Sequence, residues 1–177
     1  MKKAILAGGC FWCTEAVFKS LKGVVEAVPG YIGGSQVNPT YEQVCTGETG
    51  HAEAIEIEYN EHEVSYNELL EIFFATHNPT TLNRQGEDIG TQYRSEIFYV
   101  DEAQKQAAEE YIGILRDEKV FDQPIVTQIT PASIFYVAED YHKNYFDRKG
   151  AENPYCQMVV KPKVEKFKKN YASKLKE

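Results

Sequence analysis

The sequence predicts an α+β protein in which a mainly antiparallel sheet carries helices on one face. Two observations support this fold class: the first six predicted segments alternate in the order βαββαβ, and the composition is that of an ordinary folded protein. The chain has 177 residues, of which 42% are hydrophobic and 26% are charged. These proportions allow a sizeable core and argue against a disordered chain. We expect one domain over residues 1–177.

The first four segments follow from the hydrophobic pattern. Lys3–Ala7 is a nearly continuous apolar strand that ends at two glycines, and a helix follows from about Phe11 to Leu21. Val24–Tyr31 is a second strand, which a Pro-Gly pair interrupts. Ala52–Tyr59 alternates polar and apolar residues, as a half-buried strand does, and is the third strand.

The next segments complete the pattern. A capping box at Ser65–Glu68 starts a helix to about Thr76, and a strand over Tyr93–Val100 precedes a helix over about 101–117. This order is typical of a ferredoxin-like core, a two-layer α/β sandwich. We place the core at about 3–137, followed by a C-terminal extension that carries Cys156. The polar stretch 77–92 is long for a loop and is therefore a candidate functional segment.

Composition argues against several classes of function. The formal charge of −8 and the pI of about 5.1 disfavour nucleic-acid binding. Residues 161–177 hold seven lysines and two glutamates, which is most simply a solvated terminal helix. No apolar run approaches the ~20 residues of a membrane-spanning helix, and Ala4–Ala7 is too short for a secretion signal. We expect a cytoplasmic protein without a membrane partner.

Cys10 is the first candidate catalytic residue. It follows two glycines at the point where the first strand ends and the first helix begins. Unpaired N–H groups and the helix dipole stabilise an anion there, so we expect a lowered thiol pKa. The alternative is a small buried cysteine that closes a strand. In a reducing compartment, four cysteines indicate catalysis or metal binding rather than structural disulfides.

Cys13 lies on the same helix face as Cys10, and the two form a C-x-x-C motif at a helix start. Such a motif is typical of redox sites, most often in thioredoxin-like domains. Phe11 and Trp12 stand between the two cysteines and are unusual in a disulfide carrier. They are either core residues or the lining of a pocket for an apolar group.

A zinc site is a competing interpretation of the cysteines. Cys45, His51 and Cys156 could join the C-x-x-C pair as ligands. Structural zinc sites usually contain two closely spaced ligand pairs, whereas only one pair is close here. We therefore expect no metal, and Cys45 is most simply a core residue.

Glu53 is the most informative carboxylate. In the third strand it shares a face with Ile55 and Ile57, while Glu56 and Glu58 lie on the opposite face. An acid on an apolar face is desolvated, which raises its pKa and keeps it protonated near neutral pH, as a proton donor requires. The alternative is a strand-end carboxylate that pairs with a lysine or arginine.

Five short segments are specific for one protein family when they are taken together in their order along the chain. They are Gly8–Trp12, Pro39–Tyr41, Gly47–Glu53, Gly90–Ser95 and Ala138–His142. Together they resemble the type A peptide methionine sulfoxide reductases, over about residues 8–155. The resemblance implies a single catalytic domain with a ferredoxin-like core. It also implies reduction of methionine S-sulfoxide, free or in proteins, by a thiol without a metal or an organic cofactor.

The resemblance implies roles for four residues at the reacting atoms. Cys10 is the nucleophile that attacks the sulfoxide sulfur. Glu53 protonates the oxygen, and Tyr41 and Tyr93 hydrogen-bond to it. This assignment agrees with the chemistry, because a sulfoxide oxygen leaves poorly unless it is protonated.

Three more residues are implied in substrate binding. Phe11 and Trp12 hold the methyl group of the substrate. Asp88, in the long polar stretch, contacts the substrate backbone. The family's external reductant is thioredoxin, and dithiothreitol is expected to replace it in vitro. We expect a monomer whose partners are this reductant and its sulfoxide substrates.

The second thiol departs from the family pattern. The family commonly has glycine where this chain has Cys13, and its longer members end in a glycine-rich tail with a further cysteine. Loss of methionine leaves Cys10 as a sulfenic acid, which condenses with another thiol. The resolving thiol is Cys156 or Cys13, or both act in relay. We favour Cys156, on the expectation that a flexible C-terminal segment carries it.

A glutaredoxin-like thiol–disulfide oxidoreductase that uses the Cys10–Cys13 motif is the alternative function. Such a fold would place a proline-containing turn opposite the motif. We find no Thr-Val-Pro type segment in the sequence.

Overall fold

The computed structural model describes residues 1–176, with a mixed six-stranded sheet at the centre. The strands are β1 (Lys2–Gly8), β2 (Val24–Ile32), β3 (Ala52–Tyr59), β4 (Arg84–Gln85), β5 (Asp88–Ile89), β6 (Ser95–Tyr99), β7 (Gln128–Pro131) and β8 (Tyr136–Val137). The α-helices are α1 (Phe11–Phe18), α2 (Tyr41–Cys45), α3 (Tyr66–Ala75), α4 (Glu102–Asp117), α5 (Tyr145–Lys149) and α6 (Lys161–Asn170). Among the described residues, no helix is long and apolar enough to cross a membrane.

The sheet has the strand order β7-β6-β1-β3-β2-β8, and β4 and β5 form a separate hairpin. The pairs among β6, β1, β3, β2 and β8 are antiparallel, and β7 runs parallel to β6. Leu6 lies opposite both Ile55 of β3 and Ile97 of β6. The strand β1 is therefore central, and its C-terminal end delivers the chain to α1 from the middle of the sheet.

The main core lies between one face of the sheet and helices α1, α3 and α4. Ile55 and Ile57 of β3 contribute to it from the sheet, and Val17, Leu69 and Ile112 contribute from the three helices. The other face carries a smaller apolar cluster formed by Ile5, Ala7, Ile32, Ala52, Ala54 and Phe98. Both faces of the central strands are thus buried, which leaves little room for a polar side chain that has no function.

Several predicted elements are confirmed, with shifted ends. The strand β3 has the predicted bounds, and α3 begins at the predicted capping box, in which the Ser65 side chain accepts from Glu68 N–H. Helix α1 ends at Phe18 rather than Leu21, because Ser20 Oγ–H donates to the Val17 carbonyl and the chain turns at Gly23 with φ +88°. Tyr93 belongs to a 3-10 turn, so β6 begins only at Ser95.

The polar stretch 77–92 contains structure that the sequence did not predict. It forms the hairpin β4–β5, with Gly86 at φ +58° in the turn. Two-residue strands are too short to show an alternating pattern. Helix α2 was also not predicted; it begins at a capping box in which Thr40 Oγ1 accepts from Gln43 N–H.

The C-terminal extension differs from the flexible segment that we expected. Cys156 begins a π-helical turn, Cys156–Val160, which continues directly into α6. The Cys156 side chain is fully buried and packs in the main core with Val164 and Phe167. Burial of apolar side chains along this stretch holds it against the domain, so Cys156 sits on an ordered helix.

Candidate active site

The site begins where β1 ends, at a turn that only glycine accommodates. Gly9 has φ +97°, and a Cβ atom there would lie 2.7 Å from Cγ of Gln85. The turn places Cys10 at the N-cap of α1, where its carbonyl accepts from the Cys13 N–H at 3.1 Å. The Cys10 side chain is left at the start of the helix and is only partly buried.

Glu53 lies on the apolar face of β3, as its position in the alternating pattern predicts. Its side chain is 1% exposed, and the Phe11 N–H donates to its Oε1 at 3.2 Å. The second oxygen, Oε2, is buried and has no hydrogen-bond partner within residues 1–176. Burial, reinforced by the nearby Cys10 sulfur, raises the pKa of this carboxyl well above its ordinary value. Glu53 is therefore a buried acid beside a thiol, with no lysine or arginine bonded to it.

The Cys10 thiol does not have the lowered pKa that its place at a helix start predicts. Burial raises its pKa well above the ordinary value, and the neighbouring Cys13 thiol adds to the effect. The Trp12 N–H and the Tyr155 hydroxyl act in the opposite direction but do not outweigh burial. These contacts do not replace the hydration that a thiolate loses at this position.

Tyr41 and Tyr93 both face the Glu53 carboxyl. Burial raises the pKa of each phenol, and the negative charge of Glu53 is the next cause in both cases. Both hydroxyls therefore remain protonated and available as donors near neutral pH. Tyr41 is fixed through its backbone, whose N–H donates to Oε2 of Glu139 at 2.9 Å.

Phe11 and Trp12 differ in their surroundings. Phe11 is fully buried, whereas Trp12 is partly exposed and stacks on Tyr145 with ring centroids 4.0 Å apart and planes 12° apart. The Trp12 Nε1–H donates to Nδ1 of His142 at 3.0 Å. Trp12 is thus the aromatic side chain beside Cys10 that could still meet a substrate.

Asp88 lies in β5 and is joined to the C-terminal extension. The Tyr155 hydroxyl donates to Oδ2 of Asp88, and Tyr155 also packs edge-on against Trp12 with centroids 6.0 Å apart. Since the same hydroxyl lies close to the Cys10 sulfur, Tyr155 belongs to the site although sequence reasoning did not select it. Its place directly before Cys156 was the available signal.

Sequence reasoning also missed Glu139, His142 and Tyr145, which hold the aromatic side chains of the site. Glu139 and His142 were visible only as members of the segment 138–142. Their partners Tyr41 and Trp12 are 98 and 130 residues away in sequence. Such pairs follow no local spacing rule, so only a folded chain reveals them.

The four cysteines are free thiols and lie in different environments. Cys13 is buried beside Cys10, and its pKa is lowered, first by its interaction with Cys10 and also by the charge of Lys163. Cys45 is exposed at the end of α2, so its assignment to the core was wrong: it directly follows buried Val44 and therefore points about 100° away from it around the helix axis. Within residues 1–176, no three His, Cys, Asp or Glu side chains are grouped so that they could hold a metal ion.

A reactive thiol at a helix start, a second thiol one turn later and a buried acid beside them define a thiol-based oxidoreductase. Comparison with known proteins specifies the class further. The family model described as peptide methionine sulfoxide reductase matches residues 2–175. The chain belongs to this family.

Known relatives agree over nearly the whole chain. The peptide methionine sulfoxide reductase MsrA of Saccharolobus solfataricus is 54% identical over 176 residues, which are 99% of this chain and 98% of that protein. The reduced form of Mxr1 from Saccharomyces cerevisiae is similar in structure, with a TM-score of 0.80, 36% identity and coverage of 88% of each chain. Mxr1 in complex with Trx2 is also similar, with a TM-score of 0.57, 25% identity and coverage of 81% and 84%. These structures share with this chain a central mixed sheet and the helices that pack against it.

Proposed function

We propose that this chain reduces methionine S-sulfoxide, free or in proteins, to methionine, with Cys10 as the nucleophile and Glu53 as the acid. The observation that carries the proposal is the unpartnered, buried Oε2 of Glu53, in a carboxyl group whose pKa the adjacent Cys10 sulfur helps to raise. A protonated carboxyl with a free oxygen is a donor for the poor leaving group of a sulfoxide.

The first step transfers one oxygen atom. The Cys10 thiolate attacks the sulfoxide sulfur while Glu53 protonates the oxygen, with Tyr41 and Tyr93 as further donors to it. The attack forms a bond between the two sulfur atoms. As this bond and the S–O bond of the substrate break, the protonated oxygen bonds to the Cys10 sulfur, which becomes a sulfenic acid, and methionine leaves as the thioether. Cys10 is oxidised by two electrons and the substrate sulfur is reduced by two, so the step balances.

The substrate is bound by side chains around these groups. Trp12, together with Phe11 behind it, holds the methyl group, and Asp88 contacts the substrate backbone. Tyr155 occupies the space between Asp88 and Cys10. A substrate that reaches Asp88 therefore displaces the Tyr155 hydroxyl.

The second step forms a disulfide and releases water. We assign the first attack on the sulfenic acid to Cys13 rather than Cys156, because Cys13 adjoins Cys10 in the first turn of the same helix, whereas Cys156 is held on the separate C-terminal helical run. Cys156 then takes over the disulfide in relay. Thioredoxin reduces it, which the likeness to Mxr1 in complex with Trx2 supports.

The remaining parts of the proposal concern the whole protein. We propose one catalytic domain over 1–177 with a ferredoxin-like core, which the order β6-β1-β3-β2 and the helices α1 and α3 support. We also propose a cytoplasmic monomer that uses no metal or organic cofactor. The free state of all four cysteines is consistent with a reducing compartment. The glutaredoxin-like alternative is not favoured, since the reductase family accounts for residues 2–175.

The test is turnover of the two epimers of N-acetylmethionine sulfoxide with dithiothreitol. We expect reduction of the S epimer and none of the R epimer, and Cys10→Ser should abolish it. The matched control is Cys45→Ser at an exposed thiol; the serine hydroxyl can keep the contact that Cys45 makes with Tyr41, so activity should be retained. Turnover by Cys10→Ser would overturn the mechanism, and reduction of a glutathione disulfide faster than of the sulfoxide would restore the alternative function.

A further inference from the structure

The orientation of Trp12 depends on one short segment, residues 139–145. Trp12 donates its Nε1–H to Nδ1 of His142 at 3.0 Å, and its ring stacks on Tyr145. An indole N–H can only donate, so Nδ1 of His142 must be the acceptor and the ring proton must lie on Nε2. The two contacts hold the indole by its edge and by its face.

His142 is placed to act as a neutral acceptor. Its side chain is fully buried among the rings of Phe11, Tyr41 and Tyr141, with centroids 5.0, 4.4 and 4.1 Å away. Burial lowers the pKa of His142 to about 4, so the ring is uncharged near neutral pH. Its Nε2 has no partner among the described residues. The bond to Trp12 is thus the only side-chain hydrogen bond found for this ring.

The segment that carries His142 is itself anchored at both ends. At its start, Glu139 Oε1 accepts from the Tyr31 hydroxyl and Oε2 accepts from the Tyr41 N–H, both at 2.9 Å. At its end, the Asn144 N–H donates to both carboxylate oxygens of buried Glu15 in α1, at 2.9 and 3.0 Å. His142 therefore moves with the sheet and with α1, and not as part of a free loop.

We infer that His142 is a positioning residue, which fixes the indole of Trp12 through Nδ1 so that the ring presents a preformed wall to the methyl group of the substrate. This inference rests on the proposed function. Without the acceptor, the indole N–H would be left unsatisfied or would rotate towards water, and the wall would have to form at the moment of binding. The contribution is to substrate binding, because His142 does not reach the reacting atoms.

Two substitutions separate the acceptor from the volume of the ring. His142→Phe keeps the ring but removes the acceptor, and we expect KM for N-acetylmethionine S-sulfoxide to rise about tenfold with kcat within about twofold. His142→Asn places an amide oxygen near the position of Nδ1, and KM should return to within about threefold of the wild type. His62→Phe, at an exposed histidine, is the control and should change neither constant.

A spectroscopic measurement tests the same bond without activity. Trp12 is the only tryptophan, so fluorescence and the ultraviolet resonance Raman band of the indole N–H report on this side chain alone. His142→Phe should shift the emission to the red and weaken the N–H hydrogen-bond signature, and His142→Asn should restore both. If the wild type does not reduce the sulfoxide, the proposed function fails, while these spectra still decide whether His142 fixes Trp12.

The double variant decides between positioning and mere structural support. In a Trp12→Phe background, His142→Phe should have little further effect on KM, since the side chain on which it acts is gone. The inference is overturned by an equal cost of His142→Phe in both backgrounds. It is also overturned by unchanged spectra in His142→Phe, or by a failure of His142→Asn to restore KM. If His142→Phe does not fold, His142→Leu, which also lacks the acceptor, replaces it in both backgrounds and in the spectra, with the same outcomes.

Discussion

At the scale of single residues, the site reflects a competition between desolvation and hydrogen bonding. A helix start offers Cys10 the Trp12 N–H, yet burial outweighs it and the thiol keeps its proton more firmly than a free cysteine. The same burial keeps Glu53 protonated. The site therefore favours the uncharged forms of Cys10 and Glu53, which suits an uncharged sulfoxide. The Cys10 thiolate, which is the nucleophile, is the minor form of this thiol near neutral pH.

Replacement of Glu53 by glutamine tests its role as the acid. We expect kcat at neutral pH to fall by about 10²–10⁴-fold, because glutamine cannot give up a proton in the reaction. The wild-type rate should rise with pH as the Cys10 thiolate forms, and above the raised pKa of Glu53 the loss of the acid's proton should cancel this rise. In Glu53→Gln the rate should continue to rise with pH instead of levelling off. Stopped-flow measurement of methionine release from pH 5 to 10 checks both expectations.

Glu58→Gln is the control for this experiment. Glu58 lies in the same strand but on the opposite face, so its loss should leave the rate and the pH profile unchanged. A Glu53→Gln protein whose rate levels off at the same pH as that of the wild type would show that another group is the acid. A Glu53→Gln protein that has unfolded would instead give the carboxyl a structural role.

At the scale of the elements, the two candidate resolving thiols differ in the backbone that carries them. Cys10 and Cys13 are separated by one turn at the start of α1, where the Cβ atoms of residues three apart lie about 5–6 Å from each other. A local tightening of this first turn would bring them to the distance of about 3.5–4.5 Å that a disulfide requires. Cys156 is at the start of a continuous run of helix that leads into α6. Burial and, next, the charge of the nearby Cys10 sulfur raise the pKa of Cys156, so the two thiols lie near each other, but the Cys156 side chain is packed in the core and has to move out of it to form a disulfide.

Trapping the first disulfide tests this difference. With one equivalent of sulfoxide and no reductant, we expect the Cys10–Cys13 disulfide to form first, identified by mass spectrometry after chymotryptic cleavage. In Cys13→Ser, a Cys10–Cys156 disulfide should form instead and more slowly, because the Cys156 side chain has to leave its buried position. A wild-type protein that yields Cys10–Cys156 without passing through Cys10–Cys13 would reverse the order that we propose.

Elements with a strong local signal were predictable, and elements held by distant contacts were not. The strand β3 and the cap of α3 follow from an alternating pattern and a capping box, which act within a few residues. The hairpin β4–β5 has two residues in each strand, and nothing so short produces a period. A terminal helix was predicted over the lysine-rich residues 161–177, but as a solvated one; that Cys156 and its neighbours pack into the core depends on contacts with distant elements.

At the scale of the whole molecule, the same distinction applies to the site. The placement of Cys10 and Glu53 on their elements follows from a strand end and from strand alternation. The bond between Trp12 and His142 joins residues 130 apart, and the resemblance identified the segment of His142 without its contact. Local rules therefore place the reacting groups, while the groups that hold them in position become visible only when the chain is folded.

Buried ionisable groups also set how the stability of the whole protein depends on pH. Burial lowers the pKa of His77 and of His142 from 6.5 to about 4, so the unfolded chain takes up more protons between these values. These two groups make the folded state more stable as the pH rises from about 4 to 6.5.

Two buried glutamates have the opposite effect. Burial raises the pKa of Glu15 and Glu53 above 4.5, so the folded state holds more protons than the unfolded chain above this pH. These two groups make it less stable as the pH rises. Over about pH 4.5–6.5 the two pairs oppose each other.

Removing one member of each pair should change the pH dependence of the free energy of unfolding, in opposite directions for the two pairs. Relative to the wild type, Glu53→Gln should gain about 1.4 kcal/mol in the free energy of unfolding per pH unit above pH 4.5. His142→Asn should lose about the same amount per unit between pH 4 and 6.5, reaching about 3 kcal/mol. Urea unfolding at half-unit steps of pH measures both. His62→Asn, at an exposed histidine, should run parallel to the wild type. Parallel curves for all the variants would mean that neither buried group keeps its shifted protonation in the folded protein.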